Sequence, residues 1–147
     1  MEADAVSLYI DTSALLKLFF VEPESARMVA IVSQEPQIFI SSLARLEALT
    51  QVRSRVAGGV ISLKTEAALI TQIESRLASA PFELHKCPAS LIDVAEKQIA
   101  SSQAYCPTLD RLHLAAMEIF KVRRLLTNDD VQANAARALG FEVILPR

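Results

Sequence analysis

A chain of 147 residues with 52% hydrophobic side chains and only 3 glycines is too apolar for disorder and long enough to bury a core, so one folded domain over 1–147 is expected. Its formal net charge of −2, from 15 basic and 17 acidic residues, neither marks nor excludes a nucleic-acid partner, because a local basic rim does not show in a sum. Cys87 and Cys106 form no CxxC pair, which argues against a cysteine zinc site and fits a reduced, cytoplasmic setting. The acidic opening "MEADAVS" does not read as a leader sequence. The best apolar run, "ALLKLFFV", is interrupted by Lys17 and falls well short of the roughly 20 residues of a membrane span.

In chain order, "SLYI" is a short strand, and Thr12 or Ser13 starts a helix that runs through "ALLKLFFV" to Pro23. Pro23 opens a second helix, "ESARMVAIV". "QIFIS" is the next strand, and "SLARLEALTQVRSRVA" is a helix stopped by Gly58–Gly59. "SLKTEAALITQIESRLASA" is the clearest helix and ends before Pro81. "FELHKC" is a third strand, and Pro88 opens the helix "ASLIDVAEKQIASSQ". "PTLDRLHLAAMEIF" is another helix and "RRLLT" a fourth strand. The helix "DDVQANAARAL" is closed by Gly140, and "FEVILP" is a last strand. Strands alternating with helices predict an α/β fold with a mainly parallel central sheet flanked by helices.

Sites in such sheets form beyond the carboxyl ends of the strands. Asp11 ends the first strand, and Asp129 and Asp130 follow the fourth. Glu47 lies two turns into the helix after the second strand, at the margin of its apolar face. Asp110 lies in the first turn of its helix. There Arg111 and Glu118, seven apart, mark the expected solvent stripe. Asp110 is about a quarter turn off that stripe, on the side of Leu114 and Met117. A carboxylate leaning toward apolar neighbours needs a partner. Taken singly, each acid has an ordinary explanation as a helix cap, a dipole partner or a surface residue. Taken together, acids converging on one sheet edge repel one another unless a cation is shared. All-oxygen donors favour Mg²⁺, with Mn²⁺ as substitute, over zinc. His113 among Leu109, Leu112 and Ala116 reads as a hydrogen-bonded core histidine rather than a general base. Arg45, Arg53, Arg55, Arg111, Arg123 and Arg124 are the cations available to a phosphate backbone, and each is by default a surface residue.

The stretches "YIDTSALLKLF", "ISSLARLEALTQVRSR", "TLDRLHLAAM" and "LLTNDDVQANAARALGFEVI" resemble, in order and spacing, the PIN domain and within it the VapC-type toxins of toxin–antitoxin pairs. The resemblance covers about residues 8–145. It implies a PIN-like α/β/α sandwich and a Mg²⁺-dependent endoribonuclease that cuts single-stranded RNA. It carries Asp11, Glu47, Asp110 and Asp129 over as catalytic, metal-binding acids, with Thr12 and Ser13 in support. Metal held by carboxylates supplies the activated water and charge neutralisation of phosphodiester hydrolysis. Arg111 departs from the family's usual small or apolar residue, and "NDD" offers two acids where one is usual. Asp129 is preferred as the N-cap whose side chain points back across the sheet edge, with Asp130 as the first helical residue. The resemblance and the apolar early helices together imply a homodimer, with an antitoxin segment in a groove beside those helices.

Other readings fit less well. A haloacid-dehalogenase-like phosphatase needs a second Asp where Ser13 stands. A receiver domain needs an acidic pair at the first strand and an Asp after a central one. A PIN-like module that binds RNA or protein without cleaving, and a housekeeping RNA-processing PIN nuclease, are the alternatives.

Overall fold

Leu8, Tyr9 and Ile10 are all fully buried, as befits a central strand with both faces covered. In the computed structural model, which describes residues 7–147, these three form β1 (Leu8–Ile10) of a five-stranded sheet. The acidic stretch 1–6, expected not to be a leader, lies outside the described residues. The other strands are β2 (Ile38–Ser41), β3 (Phe82–His85), β4 (Arg124–Leu126) and β5 (Glu142–Ile144). They lie in the order β3-β2-β1-β4-β5, every pair parallel. The sheet is thus wholly parallel, as the alternation of elements predicts.

Helices cover both faces, and the strand period of two sorts the core into halves. Leu8 and Ile10 of β1, Ile38 and Ile40 of β2 and Leu126 of β4 point to one side. There they meet α1 (Thr12–Leu15), α2 (Ser25–Gln34), α3 (Ser42–Ala57) and α4 (Leu63–Leu77). Tyr9 and Leu125 point to the other side, against α5 (Leu91–Ser101), α6 (Thr108–Phe120) and α7 (Asp130–Ala138). This is an α/β/α sandwich. Each fully buried aliphatic side chain in it contributes roughly 1.5–3 kcal/mol. Among the described residues, no helix is long and apolar enough to cross a membrane.

One element departs from expectation. The first helix does not run to Pro23. It is α-helical only over Thr12–Leu15, tightens to a 3₁₀ turn over Leu16–Leu18, and stops at Phe19. The apolar run serves the core unevenly: Leu16, Leu18, Phe19 and Phe20 pack against it, while Val21 is fully exposed. Lys17 pairs with Glu22 and with Glu24, which fastens the turn that leads to Pro23.

The strand order reverses around β1. β2 lies on one side of it and β4 on the other, although β4 follows β3 in sequence. The carboxyl ends of β1 and β4 therefore flank a crevice, the place where open parallel sheets bind ligands.

Candidate active site

Asp11 leaves β1 with its backbone N–H donating to the Leu126 carbonyl of β4 at 3.2 Å. It caps α1: Oδ1 accepts from the Ala14 N–H at 3.0 Å. The carboxylate is only 3% exposed and fully engaged. Ser13 Oγ donates to it, 2.8 Å from Oδ1 and 3.0 Å from Oδ2, and Thr127 Oγ1 donates to Oδ2 at 2.5 Å. Burial pushes the Asp11 carboxyl above its ordinary pKa, while His113 and the bonds from Thr127, Ala14 and Ser13 oppose the rise. Capping and site placement are therefore both served by one side chain.

Glu47 projects from α3, half-exposed, at the edge of a buried face made of Ala44, Ala48 and Val52. Leu46, the residue before it, is 62% exposed. Small side chains let α3 lie close to the sheet, and this leaves the larger Leu46 outside. Glu47 Oε1 accepts from Thr12 Oγ1 at 2.8 Å and from His113 Nε2 at 2.5 Å. Burial pushes its pKa up, but His113 and Thr12 outweigh this and hold it below the ordinary value.

Asp110 stands in the first turn of α6, half-buried, beside fully buried Leu114 and Met117. Its backbone carbonyl accepts from Gln132 Nε2 at 3.1 Å, which ties α6 to α7. Among the described residues its carboxylate has no hydrogen-bond donor. Its pKa is pushed up to about 6, first by burial and then by the charges of Asp129, Asp11 and Glu47, with His113 opposing. The four acids thus share one electrostatic neighbourhood. Asp129 caps α7, its Oδ1 accepting from the Gln132 N–H at 3.0 Å. Asp130 is the first helical residue and points away, paired with Arg147 Nη1 at 2.9 Å.

A cleft of about 260 Å³ is lined by Asp11, Thr12, Ser13, Leu16, Glu47, Gln51, Asp110 and His113. Three of the four expected acids are in its wall. Asp129 is not, and reaches the group through its charge on Asp110. His113 is the residue the sequence did not assign to the site. It is buried and hydrogen-bonded, as a core histidine should be, yet its Nε2 partner is an acid of the cleft.

The cations stand otherwise than expected. Arg111 is not on a solvent stripe. It is 4% exposed, and its Nη2 donates to the Ala104 carbonyl at 2.9 Å. The linker 102–107 covers the first half of α6, while Glu118 at the same angular position emerges to solvent. Arg111 Nε and Nη1 are buried without a hydrogen-bond partner. The other five have protein partners. Arg45 pairs with Glu74, Arg53 with Glu66 and Arg124 with Glu35. Arg55 lies over the Phe20 ring, and Arg123 donates to the Gly140 carbonyl.

Among the described residues, no group of three or more His, Cys, Asp or Glu side chains is arranged to hold a metal ion as it stands. The fit to a hard divalent cation lies in donor type and charge. Glu47 Oε2, both Asp110 oxygens and Asp129 Oδ2 have no hydrogen-bond partner among the described residues. A half-buried carboxyl raised by three neighbouring acids is the electrostatic setting a cation relieves.

Residues 8–138 match the PIN domain family. Over 142 residues the chain is 30% identical to Ribonuclease VapC46 of Mycobacterium tuberculosis, covering 95% of this chain and 98% of that protein. Its fold is similar to that of VapC20 of Mycobacterium tuberculosis, a sarcin–ricin loop cleaving toxin. The TM-score is 0.70 at 14% identity, over 91% of this chain and 95% of the other. A toxin–antitoxin complex from Klebsiella pneumoniae is also similar, with TM-score 0.64 at 16% identity over 95% of this chain and 98% of the other.

Proposed function

We propose that this chain, which belongs to the PIN domain family, is a divalent-metal-dependent endoribonuclease that cleaves single-stranded RNA and is the toxin of a toxin–antitoxin pair. The observation that carries the reading is the cleft that brings Asp11, Glu47 and Asp110 together at the sheet edge, where the half-buried Asp110 carboxyl is raised by burial and by its acidic neighbours. Asp11, Glu47, Asp110 and Asp129 are the residues that would hold Mg²⁺, or Mn²⁺ in its place. Bound there, the cation supplies the water activation and charge neutralisation that phosphodiester hydrolysis needs.

The chain's own residues supply position. Asp11 is held at the mouth of the crevice by Ser13, Thr127 and the Ala14 N–H. Thr12 turns Glu47 toward the crevice by donating to it. Asp129 is set by its role as the α7 cap. The activity on RNA is supported by the relative named Ribonuclease VapC46 and fits the fold shared with VapC20, a sarcin–ricin loop cleaving toxin.

An antitoxin partner is supported by the toxin–antitoxin complex of the same fold and by a groove of about 470 Å³ beside the early helices. Leu18, Phe19 and Val29 line it on one side, and Gln72, Ser75 and Arg76 of α4 on the other. A homodimer is supported by large exposed apolar side chains, among them Val29, Val60 and Leu63.

The open arrangement of the acids favours, as a second reading, a PIN module that binds RNA or protein without cutting. One assay separates the two. Total RNA is incubated with the wild-type chain in Mg²⁺, the wild-type chain in EDTA, and Asp11→Asn in Mg²⁺. Cleavage in the first arm alone is expected. Equal cleavage in EDTA overturns the metal requirement, and none in any arm favours the binding module.

A further inference from the structure

We propose, building on the function just given, that Tyr9 and His113 are positioning residues that hold Glu47 with Oε1 turned into the protein and Oε2 left for the cleft. His113 lies on α6, three residues after Asp110, and is 1% exposed. Its Nε2 is 2.5 Å from Glu47 Oε1. A carboxylate only accepts, so Nε2–H is the donor. On the other side of the ring, Nδ1 is 2.6 Å from the Tyr9 hydroxyl. The Tyr9 hydroxyl, fully buried in β1, is also 2.8 Å from Ser41 Oγ; it carries one proton, so one of these two contacts is made by a proton of its partner. Ser41 is itself fixed, because its Oγ accepts from the Ala44 N–H as the cap of α3.

The chain of contacts therefore runs Ser41–Tyr9–His113–Glu47, and Thr12 closes it by donating to the same Oε1 at 2.8 Å. It joins β2, β1, α6, α3 and α1, running from Ser41, the cap of α3, to Glu47 within that helix. The edge-on packing of the Tyr9 and His113 rings, 5.7 Å between centroids, fixes the direction of the imidazole. A histidine needed only for packing has no reason to end on a half-exposed carboxylate. Glu47 is long and reaches from a helix margin, so its carboxylate has several accessible positions unless donors select one. Both donors select the same oxygen, and Oε2 stays free. Residues that orient a ligating carboxylate from behind typically govern metal affinity by about 10–100-fold.

The test is calorimetric titration of the purified full chain with Mn²⁺, which reads binding without RNA turnover. Wild type, His113→Ala, His113→Gln and Tyr9→Phe are compared, with circular dichroism to confirm folding. His113→Ala is expected to weaken Mn²⁺ binding by about tenfold or more. His113→Gln, whose amide can still donate, recovers part of that loss, and Tyr9→Phe gives a smaller loss of the same sign while leaving the imidazole in place. Wild-type affinity in both His113→Ala and Tyr9→Phe overturns this inference alone. Glutamine as damaging as alanine also overturns it, because a merely structural role would explain that result. No Mn²⁺ uptake by wild type overturns the proposed metal-dependent function, and this inference with it.

Discussion

Thr127 donates its hydroxyl to Asp11 Oδ2 at 2.5 Å, joining the ends of β4 and β1 across 116 residues of sequence. Both side chains are buried. The bond matters because Asp11 is a carboxylate removed from water, and its donors come from its own turn and from Thr127. The N–H of Asp129 in turn donates to Thr127 Oγ1 at 3.1 Å, so one hydroxyl orders both acids at the crevice.

Replacing that hydroxyl without changing shape isolates its contribution. Thr127→Val is expected to destabilise the fold by roughly 1.5–3 kcal/mol, the range for a hydrogen bond to a charged group. Thr127→Ser, which keeps the donor, should lose less. Urea unfolding of the three proteins checks this, and equal stability of the valine variant and wild type would show that Asp11 does not depend on the bond.

The adjacent acids Asp129 and Asp130 are separable. Asparagine is as good a cap as aspartate, so Asp129→Asn should leave α7 intact. Its loss of RNA cleavage should nonetheless be on the order of a hundredfold, since it removes a carboxylate from the crevice. Asp130→Asn removes an exposed pair with Arg147, of a kind worth at most about 1 kcal/mol, and should cleave nearly as wild type. Parallel cleavage rates decide it. Greater damage from Asp130→Asn would move the fourth acid by one residue.

Asp110 predicts a pH dependence. Its folded pKa, about 6, lies above that of the unfolded chain, so between the two the native state binds more protons. Stability in chelator should therefore fall as pH rises through roughly 4 to 6, and the deficit should persist at neutral pH. Asp11, also raised, acts with the same sign, and Glu47, lowered, acts with the opposite one. The contribution of Asp110 is read by difference: the melting temperature of Asp110→Asn should rise relative to wild type between pH 5 and pH 7.5. Parallel melting profiles in the two proteins would contradict it.

Assembly has its own check. Val29, Val60 and Leu63 are each more than half exposed, and a second copy is the partner proposed to cover them. Light scattering is expected to give twice the chain mass across micromolar concentrations. A single-chain mass throughout that range would leave those side chains without a self-partner.

The order of elements was legible because each strand is a short apolar run bounded by turn residues, and four of the seven α-helices, the first included, open on a side-chain cap. Ser41, Ser62 and Asp129 all cap as their sequence context suggests. Topology made two of the acids legible, since Asp11 and Asp129 follow parallel strands, while Glu47 and Asp110 lie inside helices and rested on helical position and the family resemblance. Arg111 and His113 were not legible, for one reason. Angular position on a helix describes exposure only where the covering is uniform along its length. On α6 residues 113–117 are all buried, and the linker that takes the Arg111 hydrogen bond covers only the early turns. The partner of His113 depends on how α3 meets α6, which periodicity does not encode. The first helix failed because an apolar run shows no polar face to report where the core stops needing it.

The crevice draws its acids from positions 11, 47, 110 and 129, and β4 is inserted beside β1 late in the chain. During synthesis, at about 5–20 residues per second, a chain that has emerged only through β3 holds two of the four acids and a sheet still missing β4 and β5. No early fragment can carry the complete site. Whatever the crevice does to its substrate, it begins to do only once β4 and the cap of α7 have left the ribosome and joined the sheet.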